Sequence, residues 1–442
     1  MEGFLIAPLR LEYKSCLQQN ILIAVIQGVK SILETSMPWK KNIILFLFSQ
    51  NISLFGSYLV QYAILWHITL TSQSGVMMTI AIICGFLPTF FLSPFAGVWA
   101  DRYNRKSLIM LSDSFIALAT LILAILFLLG YNALWLLFTI LAIRAVGSGV
   151  QVPAIGAIVP QLVPEDKLTK VNATNTSLQA LVGLVSPVLS GALLSVTTIE
   201  FIFFIDVITA AMAVMILLFF LQVPVHKKAS QTHQIGYFAD LRKGLKYIND
   251  HKYIRNFFVY CGFFFFFVAP AAFLTPLQVT RSFGSDVWRL TAIEVAYSIG
   301  MMLGGILIAS WGGFRNKIHT MTLSMIIFGV CTLSLGIVPF FSVYLIIMGI
   351  AGITLPLFTT PSTVMLQEKI EEDYLGRVFG IFGMISSTMM PLGMLIFGPI
   401  ADIIRIEWLL IGSGLLLFAL GLLLLGNKPL LEAGKPIPQH EI

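Results

Sequence analysis

The stretch Gly97-Val-Trp-Ala-Asp101-Arg102-Tyr-Asn-Arg105-Lys106 is a short polar loop between two apolar runs, 76–100 and 107–129. A helix of about 20 apolar residues can cross the hydrocarbon core of a bilayer. Each run is long enough for this, and the charged loop between them belongs in water. The stretch therefore predicts two transmembrane helices joined at a membrane surface.

The composition extends this prediction to the whole chain. Of 442 residues, 57% are hydrophobic and 11% are charged, whereas a soluble domain carries roughly 25% charged residues. Twelve apolar runs are long enough to span a membrane: 43–67, 76–100, 107–129, 134–158, 177–198, 201–222, 256–279, 291–311, 318–339, 341–365, 378–402 and 406–427. We predict an all-α membrane protein with twelve transmembrane helices.

The basic residues predict its orientation. With the N-terminus inside, the outer segments hold only Arg281, Arg289 and Arg405, and the other loop bases lie on the inner side. Lysine and arginine are enriched in cytoplasmic loops. We expect a multi-pass protein of a bacterial inner (plasma) membrane with both termini in the cytoplasm. The net charge of +6 then reflects orientation, and no nucleic-acid partner is expected.

A hydrophilic stretch after the sixth run divides the chain into two halves. The predicted organisation is an N-terminal cytoplasmic extension (1–40), a six-helix bundle (41–222), a cytoplasmic central loop (223–255), a second six-helix bundle (256–428) and a cytoplasmic tail (429–442). The segments 163–170 and 370–377 align as an internal repeat, each with an acidic pair, a leucine and a base. The extension fits either an amphipathic surface helix or an upstream, non-essential start.

The loop pattern Gly-x-x-x-Asp-Arg-x-x-Arg-Lys resembles the loop signature of the major facilitator superfamily. With Val163-Pro-Glu-Asp-Lys-Leu168 and Gln367-Glu-Lys-Ile-Glu-Glu-Asp-Tyr-Leu-Gly-Arg377, the chain resembles the macrolide-efflux branch of the drug:proton antiporters over about 38–428. The resemblance implies two pseudo-symmetric bundles (the major facilitator fold), no cofactor, and a functional monomer. It also implies export of a small amphipathic, macrolide-like substrate in exchange for protons across the lipid bilayer. Export of a natural metabolite, siderophore or lipid by the same fold remains the alternative.

The resemblance also implies a cytoplasmic gate. In the family the loop Asp faces the N-terminus of the eleventh helix, where an anion is stabilised by the helix dipole. The gate residues are then Gly97, Asp101, Arg102, Arg105, Lys106 and Arg377. The second-half copy, 311–317, keeps the bases and lacks the Asp, so we expect an asymmetric gate that holds the outward-open state closed at the cytoplasmic side.

A motif on the fifth helix resembles the antiporter signature of drug exporters, with two of its glycines replaced by serines. Its residues are Gly183, Ser186, Pro187, Ser190 and Gly191. Small residues of this kind also serve ordinary close helix packing, and the sequence leaves both roles open.

Four ionisable residues inside the apolar runs are candidates for proton coupling: Asp113, Arg144, Asp206 and Glu294. Charged groups in a membrane are costly and therefore mark function or pair with one another. Arg144 resembles the family's helix-four arginine, which is associated with proton transfer; a structural role is the alternative. Asp113 could pair with Arg144, Asp206 is the stronger proton site, and Glu294 could instead reach the interface.

Enzyme, receptor and metal-site readings have little support. Of the six histidines only His67 and, at the edge of the run 318–339, His319 fall in predicted helices. The four cysteines show no paired spacing, and no nucleotide-binding loop is present. We predict neither catalytic nor metal-binding residues. Methionines of the eighth and eleventh helices and Phe263 to Phe267 suit a lipophilic substrate, although lipid-facing helices are rich in the same residues.

Overall fold

The structure, a computed structural model, describes residues 39–223 and 237–435. Twelve of its helical spans are long and apolar enough to cross a membrane, which confirms the predicted number. The helices are α1 Trp39–Ser72, α2 Gly75–Arg102, α3 Arg105–Leu128, α4 Leu134–Leu162, α5 Leu168–Val196, α6 Ile199–Phe220, α7 Tyr237–Asp250, α8 Lys252–Ala269, α9 Thr275–Ser282, α10 Val287–Trp311, α11 Lys317–Leu335, α12 Phe341–Lys369, α13 Glu372–Ile400, α14 Ile406–Leu425 and α15 Lys428–Ala433. The π-helical turn Pro270–Leu274 joins α8 and α9 into the seventh span.

Several helices are longer than their apolar runs. Helix α5 begins at Leu168 and α13 at Glu372, where the predictions begin at 177 and 378. The extra turns of α5 carry polar residues such as Lys170 and Asn172. Hydropathy detects only the part of a helix that lies in the hydrocarbon core. The helix itself extends into the polar interface, because its backbone hydrogen bonds continue there.

The two halves repeat one packing scheme. In the N-terminal bundle (α1–α6), α2 packs on α4, α3 on α4 and α6, and α1 on α5. In the C-terminal bundle (α8–α14), α10 packs on α12, α11 on α12 and α14, and α8 on α13. The repeat segments 163–170 and 370–377 lie at equivalent connections, α4 to α5 and α12 to α13.

The predicted central loop contains a helix. Helix α7 packs its apolar side on α13, where Tyr247 stacks on Tyr374 with ring centroids 4.3 Å apart. Gly244 of α7 faces Arg377 and Ile381 of α13. Thus α7 belongs structurally to the C-terminal bundle. The predicted extension, apart from Trp39 and Lys40, lies outside the described residues.

Two ends of the bundles can now be distinguished. One end, which we call the linker end, carries α7 of the segment between the bundles and the connections 103–104, 163–167 and 312–316. The opposite end, which we call the Asp402 end, carries the connections 73–74, 129–133, 283–286, 336–340 and 401–405. At the Asp402 end the bundles are in close contact. A Cβ atom at Gly75 of α2 would clash with the carbonyl oxygen of Gly398 of α13, and Thr79 donates a hydrogen bond to the carbonyl of Met394.

One carboxylate ties the bundles together at this end. Asp402 accepts hydrogen bonds from the amides of Gly75 (2.7 Å) and Val76 (3.0 Å) and from the Ser74 hydroxyl (2.6 Å). Arg281 of α9 forms an ion pair with it at 2.8 Å. We call these five residues the Asp402 latch. An anion at the first turn of α2 is stabilised by the helix dipole as well as by these donors.

The latch changes the acidity of its carboxyl. Partial burial acts to raise the pKa of Asp402, but hydrogen bonds from Ser74, Val76, Gly75 and Arg281 outweigh it, so that this pKa lies below its ordinary value of 3.8. The ionised form therefore favours the latched state.

The linker end of the interface is open. Among the described residues, nothing lies within 4 Å of the position that a Cβ atom would take at Gly97 of α2 or at Gly376, Gly380 and Gly383 of α13. The contacts that the structure shows between α2 and α13 are thus at the Asp402 end, around Gly75, Thr79 and Gly398. The structure is closed at the Asp402 end and open at the linker end.

Replacing the latch carboxyl should loosen the closed end. For Asp402→Asn we expect a shift of about 1 kcal/mol toward opening, the order of a charge–dipole contact at a helix terminus. Nitroxide labels on Tyr131→Cys and Ile337→Cys, both exposed at this end, would report longer distances in a background without native cysteines. Asp286→Asn, an exposed carboxyl at the same end that pairs with Arg289, should not change them.

The pH dependence of this effect follows from the sign of the pKa shift. The latched pKa lies below 3.8, so the contribution of Asp402 is complete above that value and is lost as the pH falls through the latched pKa. The difference in distance distribution between the parent and Asp402→Asn should stay constant from pH 8 to 5 and vanish only in stronger acid. A difference that vanishes near pH 6 would contradict the assignment.

The α2–α13 contact predicts a second, steric opening. A side chain at Gly398 must displace Thr79 of α2, so Gly398→Leu should lengthen the Tyr131–Ile337 label distance. The matched control is Gly412→Leu on α14, where no neighbour lies within 4 Å among the described residues. Equal distances in both variants would show that this contact does not hold the end closed.

Candidate functional site

The two bundles enclose a central space made of three adjoining cavities. Their volumes are about 240, 330 and 760 Å³. Gln61 lines all three and Tyr58 lines the first and the last, so they form one branched cavity around the middle of α1. Ligand sites of drug-sized molecules have volumes of this order.

Polar residues of α1 form the N-terminal wall of this cavity. Gln50, Ser53, Ser57 and Gln61 recur at intervals of three or four residues, which places them on one face of the helix. The prediction from sequence missed them. The signal was present, because a polar stripe at helical spacing inside an apolar span indicates a face turned away from lipid.

Arg144 and Asp206 form a buried ion pair in the N-terminal bundle. Their exposed fractions are 8% and 1%. Arg144 also donates to the Thr120 hydroxyl at 2.6 Å and to the carbonyl of Ser57 at 3.3 Å, while the Ser57 hydroxyl lies 3.4 Å from Asp206. Each charge is thus compensated by the other and by hydrogen bonds.

The suggested pairing of Arg144 with Asp113 is therefore wrong. Although α3 and α4 are consecutive, α6 packs on α1 and α3 and places Asp206 nearer to the guanidinium. Gly56 makes this possible, because a Cβ atom there would clash with Thr209 and lie 3.0 Å from the Asp206 backbone. Close approach of α1 and α6 brings the carboxylate to the level of Arg144.

Asp113 occupies a separate polar pocket beside the cavity. It is 2% exposed and accepts hydrogen bonds from Ser53 at 2.7 Å and Gln151 at 2.8 Å, both at Oδ1. Its Oδ2 atom has no hydrogen-bond partner among the described residues. Ser53 and Gln151 line the cavity, so they lie between Asp113 and the central space.

Glu294 lines the largest branch of the cavity, between α10 and the N-terminal bundle. The alternative that its side chain reaches out to the membrane interface does not fit this position. Tyr58 and Tyr62 of α1 and Tyr297 of α10 line the same branch. Glu294 is separate from the Arg144–Asp206 pair, so the four candidate residues form three distinct groups.

The predicted gate residues are not gathered at one contact in this state. Arg105 donates to the carbonyls of Ala100 (2.8 Å) and Ala157 (2.6 Å), and Lys106 to those of Leu218 and Leu221, all within the N-terminal bundle. Arg102 is exposed, and Arg377 lies over the ring of Tyr374. The Asp101 side chain lies outside what the structure describes.

The helix-five motif lies mostly against α1. Ser186, Pro187, Ser190 and Gly191 are buried, and Ser190 donates to the carbonyl of Leu59 at 3.1 Å. Gly191 also approaches Thr291 of α10, which closes the bundle interface near the Asp402 end. Gly183 instead lines the cavity. The motif therefore contributes both to packing and to the cavity wall.

The C-terminal wall is mainly apolar. Met301, Met302 and Met390 line the cavity, as does Phe273 of the π-helical turn. Within residues 39–223 and 237–435, no group of three His, Cys, Asp or Glu side chains could hold a metal ion. The cavity therefore combines a polar face of α1 with a mainly apolar surface from the C-terminal bundle.

Comparisons with known proteins agree with this architecture. The family model of the Major Facilitator Superfamily matches residues 46–394. Macrolide efflux protein A of Streptococcus pyogenes is 29% identical over 382 residues, which cover 86% of this chain and 94% of that protein. The Staphyloferrin A transporter of Staphylococcus aureus is 24% identical over 371 residues, covering 82% and 90%.

Solved structures share the fold at low sequence identity. An auto-inhibited peptide transporter of the POT family has a TM-score of 0.66 at 12% identity, covering 91% of this chain and 98% of that one. A bacterial homologue of the iron transporter ferroportin, in an inward-facing state, has a TM-score of 0.64 at 14% identity, covering 87% and 98%. With twelve spans in two repeated bundles around a central cavity, this chain is a multi-pass membrane transporter that belongs to the major facilitator superfamily.

Proposed function

We propose that this protein exports a small amphipathic, macrolide-like compound from a bacterial cell in exchange for protons. The observation that carries the proposal is a drug-sized cavity between the bundles with buried carboxylates beside it. The similarity to macrolide efflux proteins supports the substrate class. The protein acts as a monomer, with both termini in the cytoplasm.

Under this orientation the linker end is cytoplasmic and the Asp402 end is external. The state described above is then inward-open: its cavity is accessible to a compound from the cytoplasm, and the Asp402 latch closes the outer side. Export requires the opposite state. The Gly97–Lys106 loop would then close on the N-terminus of α13, near Gly376 and Arg377, while the latch opens.

Asp113 is our choice for the residue that carries the exchanged proton. Asp206 is engaged in the ion pair with Arg144, whereas Asp113 has one oxygen without a partner among the described residues, where a proton can reside. Proton binding shifts a two-state equilibrium only if the two states differ in proton affinity. Such a difference arises when the change between the inward-open and outward-open states changes the access of water to the Asp113 pocket.

Transport in energised inside-out vesicles tests the proposed function. Vesicles containing the protein should accumulate a labelled macrolide, and a protonophore should abolish the accumulation. Accumulation that persists without a proton gradient would overturn proton exchange. The relative that transports staphyloferrin A makes a labelled siderophore the second substrate: transport of that compound alone would favour the metabolite-exporter alternative.

Asp113→Asn should uncouple substrate transport from the proton gradient without preventing substrate binding. A carboxamide cannot exchange a proton, so we expect loss of proton-driven accumulation with retained exchange of labelled for unlabelled substrate. Glu200→Gln, a carboxyl in the first turn of α6, is the control and should accumulate substrate normally. Unchanged proton-driven accumulation by Asp113→Asn would show that another group carries the proton.

Asp206→Asn should instead destabilise the fold. It leaves the Arg144 charge without its counter-ion, a loss of about 3–5 kcal/mol for a buried pair. The midpoint of thermal unfolding in detergent should fall clearly, and it should recover partly in Arg144→Gln/Asp206→Asn, where both charges are removed. A double variant no more stable than the single one would contradict pairing as the cause.

A further inference from the structure

The Glu294 branch of the cavity contains a carboxyl group and no basic residue among its lining residues. Its lining residues from α1, α5 and α10 include no Lys, Arg or His side chain. Glu294 itself makes no hydrogen bond or ion pair with any described residue. An ionised carboxylate in such a place is costly unless a cation accompanies it.

Three tyrosines line the same branch of the cavity as this carboxylate. Tyr58 and Tyr62 come from α1 and Tyr297 from α10, so both bundles contribute to one cage. Tyr62 and Tyr297 lie within electrostatic reach of the Glu294 carboxylate. Ring faces attract cations through their quadrupole, and cages of such rings are used to bind substituted ammonium groups.

The remainder of the branch suits an apolar body attached to that cation. On α10, Glu294, Tyr297, Met301 and Met302 follow one another at helical spacing along the cavity wall. Methionine is polarisable and adapts to irregular apolar shapes. The carboxylate lies one turn from Thr291, which meets Gly191 where the interface is closed. A ligand entering from the open end would therefore place its cationic group deepest.

We propose that Glu294, Tyr58, Tyr62 and Tyr297 form a subsite for a substituted ammonium group, which makes the exported compounds lipophilic cations. This inference rests on the proposed function as an exporter of amphipathic compounds and narrows its substrate class. Glu294 then recognises the substrate, and Asp113, in its separate pocket behind Ser53 and Gln151, remains the proton carrier.

Binding of a matched pair of probes tests the subsite. Tetraphenylphosphonium is a permanent lipophilic cation, and triphenylphosphine oxide is a neutral molecule of similar bulk and aromatic character. Calorimetric titration of the purified protein in lipid nanodiscs should show binding of the cation. Glu294→Gln should weaken it by at least about tenfold, the order expected when one partner of a desolvated charge pair is removed, and should leave binding of the neutral probe unchanged.

Three further variants separate charge from shape. Glu294→Asp, which keeps the charge, should retain part of the cation affinity; Tyr297→Phe, which keeps the ring, should bind as the parent does, and Tyr297→Leu should bind the cation more weakly. Asp286→Asn, a carboxyl outside the cavity, is the control and should have no effect.

Two results would overturn the subsite: cation binding that is unaffected by Glu294→Gln, or equal weakening of both probes, which would indicate a change of shape. Either result leaves proton-driven export intact. Conversely, substrate transport in vesicles that does not depend on the proton gradient would overturn the proposed proton coupling and would leave the cation subsite unaffected.

Discussion

The burial of one guanidinium group constrains the whole N-terminal bundle. Arg144 lies in a helix surrounded by other helices and, beyond them, by lipid, where an uncompensated charge is prohibitively costly. Its partners come from three neighbouring helices: Asp206 of α6, Thr120 of α3 and the Ser57 carbonyl of α1. These contacts link α1, α3, α4 and α6 to one another at the level of Arg144.

The same ion pair explains why the second buried carboxyl of this bundle, that of Asp113, has no basic partner. Ser53 and Ser57 are one helical turn apart on α1, and they contact Asp113 and Asp206 respectively. The arginine neutralises one of the two carboxylates and leaves the other with only neutral donors. The C-terminal bundle contributes an apolar wall and a single acid to the shared cavity. The ion pair thus belongs to the N-terminal bundle alone, whereas both bundles line the shared cavity.

The sequence was sufficient for the number of helices, their order and the two-bundle division, because hydropathy and a short repeat report on them directly. It was insufficient for the partner of Arg144, since neighbours along the chain are not neighbours in the bundle: α6, two helices later, supplies the carboxylate. The polar stripe of α1 was readable and was overlooked. The gate signature presents another difficulty, because a contact made in one conformational state has no counterpart in a structure of the other.

The Asp402 latch determines which amino-acid substitutions at the start of α2 this protein can accept. Half of its donors are main-chain amides, those of Gly75 and Val76, and every amino acid except proline supplies such an amide. The side chain at Val76 can therefore vary during evolution while the closure of the Asp402 end persists, whereas Gly75 has no room for a side chain beside Gly398 of α13. Comparison of related sequences could therefore show Asp402 together with Ser74 and Arg281, whose side chains contact it, but not the two amides, which every chain that forms the first turn of α2 supplies.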